Sequence, residues 1–422
     1  MKDIIIKNGT IITQNGERSV IKGDIWIKEG IIKEVGTNIL PDTATVIDAK
    51  DKLVLPGLIN CHVHSDSYLY KGLGDNLRLF EQFNSPLLQK IWSKLSLQDF
   101  YYCALGTYCE CLKNGITFVV DVPDSQYYVR ELIRAMKLTK IRGAICSNDY
   151  RKDGRLTNEE FIELAKKARI MPLIQVPNEE SINEEILSEL ESYDSYIKQG
   201  HIAECRERVG IINKNFDATL LELLDRHNFV NERLQIVHGN QLTSEEIELI
   251  RKKGASVIAT PCAELKINDG MYKIKTLIDK NITIGLGTDG SIWNNSNDIF
   301  NEMKVLALSQ FGTYGVKAIT AQEILDMATI NAARCFGIGN KLGSIEVGKM
   351  GDIILLDIGF GLSPVLCEPS NVVSNVVYCA RGSDVTHVII RGELVIKNGR
   401  FVHLDEDKIR SEIQDQAEKL VE

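Results

Sequence analysis

The chain has 422 residues, of which 44% are hydrophobic and 25% charged, so it has room for a large barrel of roughly 250 residues with an accessory domain. Its 49 basic and 58 acidic residues give a net charge of −9, which argues against nucleic acid as the main partner. It has no run of about 18 apolar residues, no N-terminal secretory signal and ten scattered cysteines, so we expect a cytoplasmic protein with reduced thiols and no membrane contact.

Short β segments separated by turn dipeptides characterise both ends of the chain. The N-terminal part contains Asn8-Gly9, Asn15-Gly16 and Glu29-Gly30, and the C-terminal part contains "GDIILLD" and "THVIIRGELVIKNG". We expect the two ends to pair into one composite β-sandwich domain made of residues 1–55 and 345–403. Residues 404–422 have the charge pattern of a C-terminal helical tail.

Residues 56–344, between these ends, alternate apolar runs with amphipathic helical patterns, which is typical of a parallel α/β architecture. Eight runs predict eight strands and therefore a (β/α)8, or TIM, barrel. The fifth run is the least regular, because Lys198-Gln199-Gly200 interrupts it. The predicted strands are Leu58–His64, Ile116–Val122, Ile141–Ser147, Ile170–Val176, Tyr196–Glu204, Leu234–Gly239, Ala255–Pro261 and Thr283–Asp289.

Polar side chains that can bind metal or transfer protons gather at the ends of these runs. Barrel enzymes build their active sites at the C-terminal ends of the strands. Four of the seven histidines of the chain lie there, together with two carboxylates. The residues concerned are His62, His64, His201, Glu204, His238 and Asp289.

The pair His62 and His64 predicts a metal site rather than a polar strand end once its partners are considered. Because side chains alternate along a strand, both imidazoles point into the barrel. A zinc-type catalytic site uses about three protein ligands and keeps a position open for water. His201 supplies a third nitrogen from strand five, and Asp289 supplies an oxygen from strand eight. A mixed nitrogen and oxygen set accepts zinc, which we favour, or ferrous iron.

Two further residues are candidates for proton transfer. Glu204 lies three positions after His201, so it faces the site only if the chain already bends over the barrel mouth there. In that position it could carry a proton from water to the substrate. His238 closes strand six, and it either ligates the metal or hydrogen-bonds the attacking water. A solvated glutamate and a structural histidine are the alternatives.

These motifs resemble the amidohydrolase superfamily, in particular its cytosine-deaminase-like and chlorohydrolase-like (ATZ/TRZ-type) aminohydrolases. The resemblance covers nearly the whole chain. Its motifs follow the family order: "VLPGLINCHVH", "KGLGDNLRLFEQF", "HIAEC", "VHGNQLTSEEIELI", "GLGTDGSIWNNSNDIFNEMK", "TINAARCFGI" and "GSIEVGKMGDIILLD".

The resemblance implies one divalent metal, ligated by His62, His64, His201 and Asp289. It makes Glu204 the proton shuttle, and it gives His238 and the Asp289 carboxylate the task of orienting and deprotonating the hydrolytic water. By family habit it also allows a homodimer. Two departures are visible. Ala263-Glu264 stands where the family usually has Ser-Asn, and Cys61 replaces the usual threonine beside the first histidine.

The predicted function is hydrolytic deamination of an amino-substituted heteroaromatic ring of the purine, pteridine, pyrimidine or triazine type, with release of ammonia. The substrate partners are then a small heterocycle and water. One rival is displacement of chloride or an alkylamine from a triazine-like ring. A binuclear cyclic-amide hydrolase would need a lysine on strand four, and "IMPLIQVPN" has none. A metal-binding homologue without catalysis is the remaining alternative.

Overall fold

The computed structural model describes residues 3–40, 44–148, 156–270, 273–366 and 369–422. The remaining short segments, which belong to the predicted composite domain and barrel, lie outside the described residues. The strands form two sheets, one of nine strands and one of eight. The fold therefore contains two separate β-sheets within one chain.

The strands are numbered along the chain. Five precede the barrel: β1 (Ile4–Ile12), β2 (Val20–Lys28), β3 (Ile31–Gly36), β4 (Thr45–Asp48) and β5 (Lys52–Pro56). Eight form the barrel: β6 (Leu58–Val63), β7 (Ile116–Asp121), β8 (Arg142–Ser147), β9 (Met171–Gln175), β10 (Lys198–Ile202), β11 (Leu234–His238), β12 (Ser256–Ala259) and β13 (Ile284–Leu286). Four follow it: β14 (Ile353–Asp357), β15 (Val385–Ile390), β16 (Glu393–Lys397) and β17 (Arg400–Phe401).

The nine-stranded sheet joins both ends of the chain. Its order is β17-β16-β15-β14-β5-β1-β2-β3, with β4 paired to β1. The N-terminal and C-terminal strands meet where β5 runs antiparallel to β14, with Val54 opposite Leu355. Isoleucine, leucine and valine side chains from both ends bury one shared cluster on this sheet. The prediction of a composite β domain made from both termini is confirmed.

The eight-stranded sheet is parallel throughout and runs in order from β6 to β13, as a (β/α)8 barrel requires. The predicted barrel is confirmed, and each of the eight predicted runs contains one strand. The fifth run is longer than β10, because Ala203 takes a left-handed backbone conformation with φ 53° and ends the strand. The seventh run is also too long, because Pro261 begins a helix.

Helices surround the barrel and link its strands. Several begin with a capping box in which a Ser or Thr side chain and an acidic side chain three residues later satisfy the first backbone N–H groups. Among the described helices, none has both the length and the apolar character needed to cross a bilayer. Short 3₁₀ helices cover Ser65–Tyr70, Gln126–Tyr128 and Gly382–Asp384.

The α-helices are α1 (Leu79–Phe83), α2 (Pro86–Lys94), α3 (Leu97–Lys113), α4 (Val129–Thr139), α5 (Asn158–Ala168), α6 (Glu184–Glu191), α7 (Arg206–Phe216), α8 (Leu220–Arg226), α9 (Ser244–Lys253), α10 (Pro261–Ile267), α11 (Ile274–Asp279), α12 (Ser291–Asn294), α13 (Ile299–Tyr314), α14 (Ala321–Ala328), α15 (Ile330–Cys335), α16 (Pro369–Tyr378) and α17 (Glu406–Val421).

Hydrogen bonds between β6 and the residues after β13 draw the two edges of the barrel together. The carbonyl of His62 accepts the N–H groups of Thr288 and Asp289 at 3.1 and 3.0 Å. The buried Asn60 side chain donates to Thr288 Oγ1 at 2.7 Å and accepts the Thr288 N–H at 3.1 Å. Gly287 makes this approach possible, since a Cβ there would lie 2.8–2.9 Å from His62 atoms. Barrel closure thus sets His62 beside Asp289.

Replacing Gly287 with alanine should therefore push β6 away from the end of β13. We expect a loss of about 2 kcal/mol in the free energy of unfolding, typical of an overpacked site, measured by urea denaturation. Gly312→Ala is the matched control, because a Cβ there meets nothing within 4 Å. That control should keep or slightly raise the stability. Equal stability of Gly287→Ala and the wild type would contradict this account of closure.

Candidate metal centre

Four of the residues singled out by the sequence meet at the C-terminal mouth of the barrel. His62 lies on β6 and His64 follows its last residue, His201 lies on β10, and Asp289 follows β13. All four side chains are buried. The three histidines form a group whose ligand atoms lie within 4.8 Å of one another. The structure therefore brings together the predicted ligand set.

The distances within this group are those of atoms arranged around one point. His64 Nε2 lies 3.1 Å from His201 Nε2, which lies 3.3 Å from His62 Nε2. Asp289 Oδ1 lies 3.6 Å from His62 Nε2 and 3.7 Å from His64 Nε2. Three nitrogens and one carboxylate oxygen thus face a common centre.

Hydrogen bonds behind the imidazoles determine which nitrogen faces that centre. His62 Nδ1 donates to Gln199 Oε1 at 2.9 Å, and His201 Nδ1 donates to Asn178 Oδ1 at 2.9 Å. The Gln199 amide is oriented in turn, because its Nε2 donates to the Cys61 carbonyl at 3.1 Å. Both Nε2 atoms therefore present lone pairs inward, as metal-bound histidines do. Inward lone pairs this close repel one another unless a cation lies between them, so the donor set fits a divalent ion.

The charge states of these side chains agree with that arrangement. Burial lowers the pKa of His64, and the neighbouring His62 lowers it further. Burial and the surrounding histidines also hold the pKa of His201 well below its usual range. Burial alone would raise the pKa of Asp289, but its hydrogen bond and charge interactions with His62 and His64 outweigh burial and lower that pKa. Two neutral imidazoles and a carboxylate are the forms that bind metal.

His238 lies beside this group, between two glutamates. Its Nε2 is 3.6 Å from Glu204 Oε1, and its Nδ1 donates to Glu264 Oε1. Burial would lower the pKa of His238, but Glu204 and Glu264 raise it to about 10. Both His238 and Asp289 have left-handed backbone conformations, with φ 71° and 61°. Such conformations are uncommon outside glycine and cluster at functional sites.

Glu204 faces the cavity because the chain turns after β10. Strand alternation would place it on the opposite face from His201, but the left-handed Ala203 redirects the backbone at this point. The Ala203 N–H donates to Glu179 Oε1 at 2.9 Å, which holds the turn. The Glu204 side chain is 4% exposed and pairs with Arg208. Glu204 thus meets the condition under which the sequence made it a candidate for proton transfer.

Cys61 and Glu264, the two departures from the family pattern, now have defined surroundings. Cys61 is fully buried and packs in an apolar cluster with Phe118 and Cys335. Burial raises the pKa of its thiol. Glu264 occupies the first turn of α10 and contacts His238 directly.

A cavity of about 550 Å³ opens above the four-residue group. The aromatic side chains of Tyr70, Phe83 and Trp293 line it. Several other wall residues had no signal in the sequence pattern, because they come from helices and loops that follow four different strands, β6, β7, β9 and β10. These are Asp66, Trp92, Leu95, Phe100, Asp124, Tyr128, Asn178, Glu180 and Arg208.

A (β/α)8 barrel whose mouth carries three histidines, an aspartate and a buried glutamate is an arrangement typical of divalent-metal hydrolases. The chain belongs to the Amidohydrolase family, whose sequence profile matches residues 53–395. The predicted resemblance to that superfamily is confirmed.

Several proteins of known name are similar to this chain along its whole length. The 5-methylthioadenosine/S-adenosylhomocysteine deaminase of Pyrococcus furiosus is 31% identical over 425 residues, covering 96% of this chain and 98% of that protein. The 5'-deoxyadenosine deaminase of Methanosarcina mazei is 29% identical over 439 residues, covering 100% and 99%. The solved structure of an adenosine deaminase from Xanthomonas campestris with bound zinc matches the fold with a TM-score of 0.91 at 22% identity, covering 99% and 98%.

These relatives confirm the predicted enzyme class. The chain is a hydrolase that acts on carbon–nitrogen bonds, and the predicted hydrolytic deamination of a heteroaromatic amine is confirmed by the deaminases among its relatives. Its substrate partners are therefore a small molecule and water. The family and the histidine group together support a divalent metal.

The Gln199 hydrogen bond behind His62 can be tested separately from the ligands. Gln199→Met keeps the side-chain length but removes the acceptor, so we expect metal affinity to fall by about 10- to 100-fold. Gln98→Met on an exposed helical position is the matched control and should keep the wild-type affinity. Competition with a fluorescent zinc chelator measures both. Unchanged affinity in Gln199→Met would show that this bond does not orient His62 for metal.

Proposed function

We propose that this chain is a zinc-dependent deaminase of adenosine-type nucleosides. The observation that carries the proposal is the convergence of three imidazole Nε2 atoms and the Asp289 carboxylate at the floor of a cavity that also holds Glu204 and His238. His62, His64, His201 and Asp289 are the proposed ligands of one ion. Zinc is preferred to ferrous iron by analogy with the zinc-bound adenosine deaminase of the same fold.

When bound, a divalent ion would supply a Lewis acid that acidifies water. The side chains of this site supply the proton transfers. Glu204 takes one proton from the attacking water and transfers it to the ring nitrogen next to the carbon that carries the amine, while His238 donates a hydrogen bond that orients that water. Asp289 accepts the second proton of the water as the water oxygen becomes the ring carbonyl, and passes that proton to the amine. The carbon–nitrogen bond to the amine then breaks, and ammonia leaves.

The cavity supports a purine nucleoside as the substrate. Its volume is within the usual range for a small-molecule site. Flat apolar surfaces for a heterocycle come from Phe100, Tyr128 and Trp293. The ring centroids of Phe100 and Tyr128 stack 3.8 Å apart. Asp66 and Asp124 lie on the wall formed by the 3₁₀ helix after β6 and the loop after β7, where their carboxyl oxygens can accept hydrogen bonds from sugar hydroxyls. The relatives named for adenosine derivatives agree with this choice.

An ammonia-release screen tests the proposal. The panel is adenosine, 5'-deoxyadenosine, 5'-methylthioadenosine, guanine, an aminopteridine, cytosine, an aminotriazine, an alkylaminotriazine and a chlorotriazine, with alkylamine and chloride release followed for the last two. We expect the adenosine derivatives to have the highest kcat/KM. Chloride or alkylamine release from a triazine would favour the rival reaction, and no turnover of any compound would favour a metal-binding homologue without catalysis.

The cytoplasmic location stays a prediction and is supported by the nine described cysteines, all of which are free. The homodimer also stays a prediction. Light scattering during size-exclusion chromatography would measure the mass of the assembly directly.

Glu204 and His201 should separate catalysis from metal binding. Glu204→Gln keeps the shape of the side chain but cannot transfer a proton, so we expect kcat to fall by about 10²- to 10⁴-fold with metal content unchanged. His201→Ala removes one proposed ligand and should lose both metal and turnover. Elemental analysis and ammonia release on the same preparations check both variants. Full activity in Glu204→Gln would rule out this mechanism.

A further inference from the structure

Arg208 is a buried cation at a place where a helix does not favour one. It occupies the first turn of α7, and its side chain is 5% exposed. The N-terminal end of a helix carries partial positive charge, which disfavours cations there. A buried charge also loses its hydration and needs close partners in compensation. The surroundings of Arg208 must therefore provide opposite charge.

Two carboxylates provide that charge from different loops. Arg208 Nη1 donates to Glu204 Oε2, and Arg208 Nη2 donates to Glu180 Oε1 at 3.0 Å. Glu204 lies between β10 and α7, whereas Glu180 lies in the loop after β9. The planar guanidinium can hold both at once, because its nitrogens point along fixed and divergent directions. Arg208 thus ties together two neighbouring loops of the barrel mouth.

The pairing determines which oxygen of Glu204 can act. Because Oε2 is held by Arg208, the other oxygen is the one that faces the metal centre. Oε1 lies 3.6 Å from His238 Nε2, on the side of the proposed reaction. A glutamate has several rotatable bonds and loses entropy when one rotamer is fixed. Arg208 fixes that rotamer before substrate arrives.

We propose that Arg208 is the positioning residue of the proton shuttle, holding Glu204 by one oxygen so that the other transfers protons. The inference rests on the proposed function of Glu204. Both Nη atoms of Arg208 are engaged by glutamates, so Arg208 acts through Glu204 and not on the reacting atoms. Lysine cannot replace it fully, since one ammonium group lacks the fork that reaches both carboxylates.

Substitution of Arg208, with a matched control on the same helix, gives the first test. We expect Arg208→Gln to lower kcat by about 10- to 100-fold while KM changes by less than about 3-fold, because proton transfer is slowed and binding is kept. Arg208→Lys should recover part of kcat. Arg206→Gln, at an exposed position of α7, is the matched control and should behave as the wild type. Metal content is measured for every variant. Wild-type kcat in Arg208→Gln would overturn the proposal.

Chemical rescue tests positioning without relying on protein stability alone. Guanidinium chloride at a non-denaturing concentration should raise kcat of Arg208→Ala, and sodium chloride of equal ionic strength should not. Guanidinium chloride should not raise the kcat of Glu204→Gln. Rescue by both salts, or by neither in a folded and metal-loaded variant, would contradict a specific guanidinium role.

A crystal structure of Arg208→Gln separates this inference from the proposed function. We expect Glu204 Oε1 to leave its place 3.6 Å from His238 Nε2. A Glu204 carboxylate that stays there would overturn the positioning role, whatever substrate is used. Failure of the wild type to deaminate any compound of the panel would instead overturn the proposed function. Should Arg208→Gln not fold, Arg208→Ala is crystallised and judged by the same distance.

Discussion

The arrangement at the mouth of this barrel depends on imidazole lone pairs that point toward one common centre. The Nε2 atom of His201 lies 3.1 Å from that of His64 and 3.3 Å from that of His62, and the Asp289 carboxylate lies beside them. Gln199 and Asn178 hold two of the rings so that these lone pairs cannot turn away. Inward lone pairs at this distance repel one another unless a cation lies between them. The donor set, the hydrogen bonds behind it and the barrel closure through Gly287 are therefore parts of one arrangement that fits a divalent ion.

A line of alternating charges extends from this centre along the edge of the cavity. Glu264, His238, Glu204, Arg208 and Glu180 follow one another, each of opposite sign to its neighbours. Four of the five are buried, so each charge relies on the next to compensate for lost hydration. Such a line makes Glu204, the proposed proton shuttle, part of a connected network of charges. It also explains why the Glu264 departure from the family pattern preserves the site, since it supplies the partner of His238.

Much of the fold and the central site could be predicted because both follow short-range rules. The period-2 alternation of β6 placed His62 and His64 on one face, and strand ends gathered His201 and Asp289. The Glu180–Arg208 contact could not be predicted, since it joins loops that no sequence period relates. Arg208 itself, four residues after Glu204, has the spacing of an ordinary helix-surface ion pair. Gln199 could have been found, because it alternates in register with His201 on β10.

The central claim is that one divalent ion at this centre is needed for deamination. Its most direct test is to titrate the metal-free chain with zinc while measuring ammonia release from an adenosine derivative. The account predicts that activity rises linearly and stops rising at one ion per chain, and that His201→Ala gives no such rise. Activity without metal, or a rise that continues to two ions per chain, would contradict it.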